Sequence, residues 1–505
     1  MKTRTIVIIA VAAVVLALAA YFFFAQPAAQ PAAPPVPTPD YWPTDEWRTT
    51  TPEEQGLDSA ALAEHLLKLR DDGAGIDSLL IIRDGYIVVD AYFAPYDGTF
   101  SHDVASVTKS FTTTLIGIAA EQGLVDLDAP VLSYFPDRTI ANVDERKQAM
   151  TVRDLAGMVN GFQSGCLGGD ATTLNEMRAA PDWVQHSLDR VMVLYPGEAW
   201  CYDSPGMHIL SAILTEATGM TESEFARANL FEPLGITDFT WETDPQGYTH
   251  GWGDLHLRPR DAAKLGLLFL NGGAWNGQQI VSPEWVREAS AARVPAGDDD
   301  SYGYGWWVGD GDYWAAGRGG QFVRVVPLFN AVIVVTASDL EFDQLDPLIA
   351  ASAVSPTEAL PANPEGTAAL EAALADLITP ATAFPVTPLS PLAETIAGRR
   401  YVFGEDAKQS IELVALTLQF DSPTEAVMLV EMPYREAAWP VGLDGAYRQA
   451  ADGRAMRGYW SDEQTLVFEM FDVGALTYSA RFDGDRLILT ADGFPGEFVG
   501  VAEAE

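Results

Sequence analysis

Basic residues are scarce in this chain of 505 residues. Its 30 lysines and arginines stand against 71 aspartates and glutamates, which gives a formal net charge of -41 at pH 7. A surface of this charge repels the phosphates of nucleic acids and anionic lipid headgroups, so we expect no nucleic-acid partner. We interpret the acidic surface as a solubilising one that does not indicate the substrate.

Histidines, cysteines and one well-known hydrolase motif are also rare or absent. The six histidines show no metal-ligand spacing, so the sequence predicts no metal site. The lack of a Gly-x-Ser-x-Gly motif argues against an α/β-hydrolase with a Ser/His/Asp triad. Only two cysteines occur, Cys166 and Cys201. We favour a disulfide between them in an oxidising compartment, with two buried thiols as the alternative.

The chain has one long apolar run, residues 6–25, which follows Lys2 and Arg4. About 20 such residues span the roughly 30 Å core of a bilayer as a helix, so the run is either a cleaved signal peptide or an N-terminal transmembrane anchor. The aromatic residues at positions 21–24 favour the anchor. Residues 26–45, rich in proline and alanine, are predicted to be a linker. We therefore expect an exported protein, periplasmic or at the cell surface.

Residues 46–350 have the pattern of a domain that mixes strands and helices. Two β-rich runs enclose the turn Arg83-Asp84-Gly85, a mainly helical block follows to about residue 290, and further strand patterns come after it. We predict an α+β fold, an antiparallel sheet flanked by helices with a large helical insertion. The strand patterns are residues 78–82, 86–92, 305–308, 313–316, 322–326 and 331–337.

The remainder of the chain changes character near residue 351. Residues 351–395 are predicted to be a linker with one short helix at 366–378. Residues 396–505 contain alternating apolar runs and are predicted to be a small C-terminal antiparallel β domain. The sequence leaves open whether this domain caps a site, binds a partner or stabilises the chain.

Ser106 and Lys109 form the only Ser-x-x-Lys in a chain with six lysines. A hydroxyl is a poor nucleophile until a base removes its proton, and a lysine amine can do so when desolvation lowers its pKa from about 10.4 toward neutrality. A helix predicted over residues 105–121 places both side chains on one face. The alternative is that this short pattern occurs by chance. Other segments of the sequence must decide between a catalytic pair and a chance match.

Two later segments supply that context. Tyr202 precedes a helix predicted over residues 207–218, and a tyrosine can carry a proton to a leaving group when nearby cations favour its phenolate. Its alternative role is that of a packing aromatic. The segment Gly317-Arg318-Gly319-Gly320-Gln321 lies between two strand patterns, where glycines let a backbone approach a ligand closely. The alternative there is an ordinary hairpin turn.

In this order and spacing, Ser106-Val107-Thr108-Lys109, Tyr202-Asp203-Ser204 and Gly317-Arg318-Gly319-Gly320 resemble the three motifs of serine β-lactamase-fold hydrolases. The resemblance covers about residues 47–338. The branch it looks most similar to includes class C β-lactamases, D-alanyl-D-alanine peptidases, esterases and 6-aminohexanoate-dimer hydrolases. It implies acyl transfer through a serine ester, with no metal or organic cofactor.

The resemblance also implies a role for each matching residue. Ser106 attacks a carbonyl, Lys109 holds or accepts its proton, and Tyr202 passes the proton to the leaving group and helps to activate water. Which of Lys109 and Tyr202 is the primary base stays open. The oxyanion is expected between the Ser106 amide and an amide of the strand edge at residues 319–321.

Two residues depart from the family pattern. Ser204 stands where the second motif commonly has asparagine, and its hydroxyl is still able to bond Lys109. Gly317 stands where the third motif usually has a lysine or histidine that helps to recognise a substrate carboxylate. Arg318 is a candidate replacement for that cation. Glycine at this position is similar to the esterase-like and 6-aminohexanoate-dimer hydrolase members.

The leading hypothesis is therefore an exported serine hydrolase that cleaves small ester or amide bonds through a Ser106 acyl-enzyme. One alternative is a D-alanyl-D-alanine peptidase or β-lactamase. Another is a non-catalytic binding protein that retains the fold. The expected partner is a small-molecule substrate, and the sequence does not determine the oligomeric state.

Overall fold

The computed structural model describes residues 39–165, 169–297, 300–356 and 358–503. The apolar run 6–25 and Cys166 lie outside the described residues. The described residues all belong to one compact unit, Pro37–Glu505. Within them, no helix combines the length and the hydropathy that crossing a bilayer requires.

The described chain consists of helices and strands distributed over two large sheets. The strands are β1 Gly75–Arg83, β2 Tyr86–Tyr92, β3 His102–Asp103, β4 Thr240–Trp241, β5 Leu255–Leu257, β6 Ala274–Trp275, β7 Gln278–Gln279, β8 Val294–Pro295, β9 Ser301–Tyr302, β10 Trp307–Val308, β11 Tyr313–Gly317, β12 Gln321–Val326, β13 Ala331–Asp339, β14 Arg400–Phe403, β15 Ala415–Ser422, β16 Glu425–Glu431, β17 Glu436–Gly442, β18 Arg448–Gln449, β19 Ala455–Trp460, β20 Thr465–Phe471, β21 Ala475–Asp483, β22 Arg486–Ala491 and β23 Phe494–Ala502. The α-helices are α1 Ser59–Asp71, α2 Thr108–Glu121, α3 Glu145–Ala149, α4 Val152–Ala156, α5 Asp170–Ala179, α6 Trp183–Asp189, α7 Ser204–Thr218, α8 Glu222–Ala226, α9 Glu232–Leu234, α10 Pro259–Leu270, α11 Pro283–Ala289, α12 Asp346–Ser352, α13 Pro364–Leu377, α14 Ala393–Ile396 and α15 Glu405–Ser410.

The first sheet has the order β2-β1-β13-β12-β11-β10-β9-β8 and is antiparallel. The predicted pairing of the early hairpin with the late strands is confirmed, with Leu80 opposite Val334. All of β1 after its first residue is buried, as expected for a strand covered by helices on both faces.

The helix of the predicted linker packs on the first sheet. We call this sheet, together with the helices that pack on it, the first layer. Leu370, Ala373 and Leu377 of α13 share a core with Leu62 and Leu66 of α1 and with β1 and β13. The spacing of three and four residues puts the apolar side chains of α13 on one face, which packs against the sheet layer. The segment 351–395 is therefore not a simple tether.

The second sheet, formed by β14–β23, is closed into a barrel. Its strands are hydrogen-bonded in the order β17-β16-β15-β14-β23-β22-β21-β20-β19-β18, and a further parallel pairing of β17 with β19 closes the ring. The predicted C-terminal antiparallel β domain is confirmed in type. Its closure was not predicted, because β17, β19 and β23 contain proline or glycine that weakens the alternating pattern.

Aromatic side chains join the barrel to the first layer. Tyr96 and Phe100 form a buried cluster with Ala455 and Phe471 of the barrel. The Tyr96 and Phe471 rings are stacked with their centroids 5.3 Å apart. The chain segment that leads to Ser106 thus packs directly on the barrel.

Candidate active site

Ser106 lies in a short 3-10 turn, Ala105–Val107, immediately before α2. Ala105 has a φ of 46° in the left-handed region, which costs a residue with a side chain about 1–2 kcal/mol. The turn is held by Asp103, whose carboxylate accepts the Ala105 N–H at 2.8 Å. Ser106 is partly exposed between buried neighbours. The turn therefore presents its hydroxyl to a cleft in the protein surface, which Ser106 helps to line.

Lys109 is brought directly to this hydroxyl. Its Nζ donates to Ser106 Oγ at 2.9 Å and to the Trp252 carbonyl oxygen at 2.8 Å. The side chain is buried, with the residue 2% exposed. The carbonyl aims the amine at Ser106, and any residue type supplies a carbonyl, so the sequence contained no signal for Trp252.

Tyr202 lies beside the lysine. Lys109 Nζ is 4.8 Å from the centre of the Tyr202 ring, and Tyr202 lines the cleft together with Ser106. The next residue, Asp203, anchors this loop through a buried ion pair with Arg190 at 2.6 Å and a hydrogen bond from Asn160 at 2.9 Å. The three residues with predicted catalytic roles are therefore adjacent.

Ser204 has a different partner from the expected one. Its hydroxyl donates to Asp170 at 2.8 Å, and its amide donates to the same carboxylate at 2.6 Å. The hydrogen bonds of Lys109 go to Ser106 and Trp252 instead. Asp170 lies at the start of α5, and no spacing in the sequence indicated it.

The glycine-rich segment is split between the cleft and its supporting wall. A Cβ atom added at Gly317 would lie 2.7 Å from the Val104 carbonyl oxygen and 2.9 Å from the Ser106 amide nitrogen. Both distances are shorter than van der Waals contact. Glycine therefore allows β11 to reach the turn Ala105–Val107 that carries Ser106, which we call the nucleophile turn. Gly317 and the exposed Arg318 line the cleft.

The other members of this segment do not line the cleft. Gly319 and Gly320 have φ values of 84° and 98° and form the turn, and the Gly320 amide donates to the Gly317 carbonyl at 3.2 Å. The buried Gln321 side chain bonds the backbone of Arg318 and Ala337. Within this segment, Gly317 closely approaches the Ser106 amide, and the expected oxyanion amide at residues 319–321 stays a prediction.

Cys201 directly precedes Tyr202 and is 3% exposed. Its predicted partner, Cys166, lies outside the described residues. Their pairing stays a prediction.

The cleft in front of Ser106 has a volume of about 850 Å³. Trp252, Trp307 and Trp314 contribute aromatic surface to its wall. Six acidic residues and three arginines also line it, namely Asp103, Asp170, Asp254, Asp300, Glu341, Asp472, Arg178, Arg318 and Arg454. The cleft therefore carries an excess of acidic groups.

Two of these residues, Arg454 and Asp472, come from the barrel. Asp472 accepts a hydrogen bond from His256 at 3.1 Å, and His256 pairs with Asp103 across β5 and β3. Burial lowers the pKa of His256, but the hydrogen bond to Asp472 and the charge of Asp103 outweigh it and raise the pKa to about 9. Burial raises the pKa of Asp103 to about 6, against the charge of His256. A charged chain thus links the barrel to the residue that holds the nucleophile turn.

Comparison with known proteins agrees with this geometry. The Beta-lactamase family model matches residues 61–354, more than half of the chain. The chain belongs to the Beta-lactamase family. This family comprises serine hydrolases, among them esterases and amidases, and the predicted resemblance is confirmed.

Individual relatives of the family are distant. A 6-aminohexanoate-dimer hydrolase of Paenarthrobacter ureafaciens is 25% identical over 313 residues, 57% of this chain and 79% of the relative. A lovastatin esterase of Penicillium rubens is 28% identical over 192 residues, 34% of this chain and 46% of the relative. The structure of EstCE1, described as a hydrolase with promiscuous acyltransferase activity, matches with a TM-score of 0.51 at 15% identity, covering 59% of this chain and 99% of that one. This last likeness shows the fold alone.

Proposed function

We propose that the protein hydrolyses small esters or amides through a Ser106 acyl-enzyme. The observation that carries the proposal is the 2.9 Å distance between Lys109 Nζ and Ser106 Oγ at the wall of the cleft. A nucleophile within hydrogen-bond reach of a base, itself oriented by a third group, is typical of covalent catalysis. Here the third group is the Trp252 carbonyl.

The reaction proceeds in two halves. Ser106 Oγ bonds to the substrate carbonyl carbon while its proton passes to the pair formed by Lys109 and Tyr202. The bond to the leaving group then breaks, and Tyr202 delivers a proton to the departing oxygen or nitrogen. In the second half, a water deprotonated by the same pair attacks the ester carbon. The bond from that carbon to Ser106 Oγ breaks, the acid leaves, and Ser106 Oγ takes the proton back from the pair.

The oxyanion site is assigned to the Ser106 amide and the adjacent backbone of Gly317 and Arg318. The absence of a side chain at Gly317 lets this strand edge come within reach of the Ser106 amide. Loss of one such donor typically costs about 2.7–4 kcal/mol of transition-state stabilisation.

The cleft favours small neutral or cationic substrates. Its volume of about 850 Å³ is within the range of small-molecule sites. Its excess of acidic side chains disfavours a substrate carboxylate, and the close packing at Gly317 leaves no space for a cationic side chain at that position. Both features favour an esterase or amidase over an enzyme of carboxylate-bearing β-lactams or D-alanyl peptides.

The test is hydrolysis of p-nitrophenyl acetate and short amides by purified protein. We expect Ser106→Ala to lower kcat/KM at least about a thousandfold, because the nucleophile is lost. Lys109→Met, which retains the buried volume, has a similar effect, and Tyr202→Phe lowers kcat about 10²–10⁴-fold.

Matched variants control for nonspecific effects. Ser133→Ala and Lys68→Ala change the same residue types at exposed positions and leave activity unchanged. Near-normal turnover in Ser106→Ala would disprove the assignment. Rapid turnover of nitrocefin would favour the β-lactamase alternative, and failure to react with any serine-directed phosphonate would favour a binding protein.

The location outside the cytoplasm is also a proposal, and it rests on residues 6–25 alone. Fractionation of cells that express the full chain tests it. A membrane-bound product supports the anchor, a free exported product of lower mass supports a signal peptide, and a cytoplasmic product contradicts both.

A further inference from the structure

A second cavity lies inside the C-terminal barrel, next to the cleft. It has a volume of about 180 Å³ and is lined mainly by apolar side chains, among them Met428, Trp439, Met470 and Leu489. None of the sequence motifs pointed to it, and the proposed chemistry at Ser106 does not use it.

The lining follows from the alternation of the barrel strands. On β16 and β20, every second residue faces the barrel interior, which places Met428, Phe468 and Met470 inside. Methionine is unbranched and polarisable, so it adapts to irregular apolar guests. Such a lining suits a flexible aliphatic chain better than a polar ligand.

The cavity and the cleft meet at a charged junction. Arg454 and Asp472 line both spaces, and their side chains lie 3.5 Å apart. Arg178 lines the cleft, while Glu412, its ion-pair partner at 2.8 Å, lines the barrel cavity. The boundary between the two spaces is therefore charged, and the wall of the barrel cavity beyond it is mainly apolar.

One part of the cavity wall belongs to the packed barrel core. Leu413, Met428 and Leu489 are buried members of that core. A space that the core closes on this side suits the part of a substrate that remains through both halves of the reaction. In an acyl-enzyme mechanism this part is the acyl group, because the leaving group departs first.

We propose that the barrel cavity binds the aliphatic acyl chain of the substrate, which enters past Arg454 and Asp472 while its carbonyl lies at Ser106. This inference rests on the proposed function and specifies its substrate class as esters or amides of medium-chain aliphatic acids. The barrel then determines acyl-chain selectivity, and the first layer supplies the chemistry.

The test is a series of p-nitrophenyl esters from acetate to octanoate, in which only the acyl chain changes. The full-length enzyme is expected to gain about fourfold in kcat/KM per added methylene until the cavity is full. Met470→Trp fills the cavity and lowers the octanoate-to-acetate ratio of kcat/KM at least tenfold. Met470→Ala enlarges it and moves the preferred chain to greater length.

Gln419→Trp is the matched control, because it adds the same side chain at an exposed position on the barrel surface. This variant retains the wild-type ratio. Opposite shifts for the two Met470 variants are not produced by misfolding, since a damaged barrel would change both in one direction. If Met470→Trp leaves the octanoate-to-acetate ratio of kcat/KM unchanged, the inference is overturned. It is also overturned if the enzyme selects chain length in the alcohol part of alkyl acetates rather than in the acyl part.

The outcomes separate this inference from the proposed function. Loss of acetate hydrolysis in Ser106→Ala with no effect at Met470 refutes the cavity and retains the enzyme. If the protein hydrolyses no ester, binding of octanamide, which is neutral, to Ser106→Ala by calorimetry still tests the cavity. We expect Ser106→Ala to bind this ligand and expect the additional change Met470→Trp to abolish the binding. A lack of binding to Ser106→Ala itself refutes the inference.

Discussion

At Gly317, the missing side chain lets a strand pack directly against the residues around the nucleophile. Its backbone packs against Val104 and Ser106 at distances that exclude a Cβ atom. Related proteins usually have a substrate-binding lysine or histidine at this position. In this protein, the close packing requires a glycine there. The close approach is between two parts of the protein rather than between protein and ligand.

We expect Gly317→Ala to lower kcat by about 10- to 1,000-fold, because β11 must move away from the Ser106 amide and one oxyanion donor is displaced. Steady-state kinetics on p-nitrophenyl acetate measure the loss. Gly297→Ala is the control, since a Cβ atom there meets no atom within 4 Å. Equal activity of both variants would contradict the assigned oxyanion site.

A second prediction at this scale concerns Cys201, which adjoins Tyr202. We expect Cys166 and Cys201 to form a disulfide when the protein is expressed in an oxidising compartment. Mass spectrometry of unreduced peptides should find them linked. Recovery of both as free thiols would contradict this prediction and would leave the loop held by its hydrogen bonds and by the ion pair of Asp203 with Arg190.

Among the elements, α13 was predicted as a helix over residues 366–378 and is observed at Pro364–Leu377, but its packing against the first sheet was not predicted. The proline- and alanine-rich composition around it predicted a linker, but its apolar face belongs to the core of the first sheet. Composition reports the average character of a segment, whereas one buried face of a helix needs only a few apolar residues. The spacing of Leu370, Ala373 and Leu377 was the available signal.

We expect Leu370→Ala to destabilise the protein by about 2–5 kcal/mol, because it removes buried methyl groups and leaves a cavity. Denaturant unfolding measures the change. Glu371→Ala, at the adjacent exposed position, should be within about 0.5 kcal/mol of the wild type. Equal stability of both variants would restore the description of this segment as a tether.

For the whole molecule, the contact between the barrel and the first layer matters most. Aromatic packing at Tyr96 and Phe471 is joined by the hydrogen bond from His256 to Asp472. The barrel turn at Gly453 also packs closely on the His256 ring. The barrel thus contacts both the cleft and the segment that carries the nucleophile.

This contact predicts a pH dependence of stability. The pKa of His256 is raised from 6.5 to about 9 in the folded protein, so its contribution is complete below about pH 6.5 and is lost as the pH rises through about 9. The groups that face it are Asp103, Asp472 and Arg454. We expect Tm to fall more steeply between pH 7 and 9.5 in the wild type than in His256→Asn, as measured by calorimetry. Parallel curves of Tm against pH for the two proteins would contradict a stabilising role of protonated His256.

The sequence by itself determined the fold class, the pairing of the early hairpin with the late strands, and the family. These features depend on local alternation and on motifs whose order survives in the chain. The tertiary structure alone decided that Asp170 holds Ser204, that the Trp252 carbonyl aims Lys109, and that Arg454 and Asp472 of the barrel line the cleft. These contacts join residues of common types that are far apart in the chain. No local pattern encodes them, because packing and the closure of the barrel bring them together.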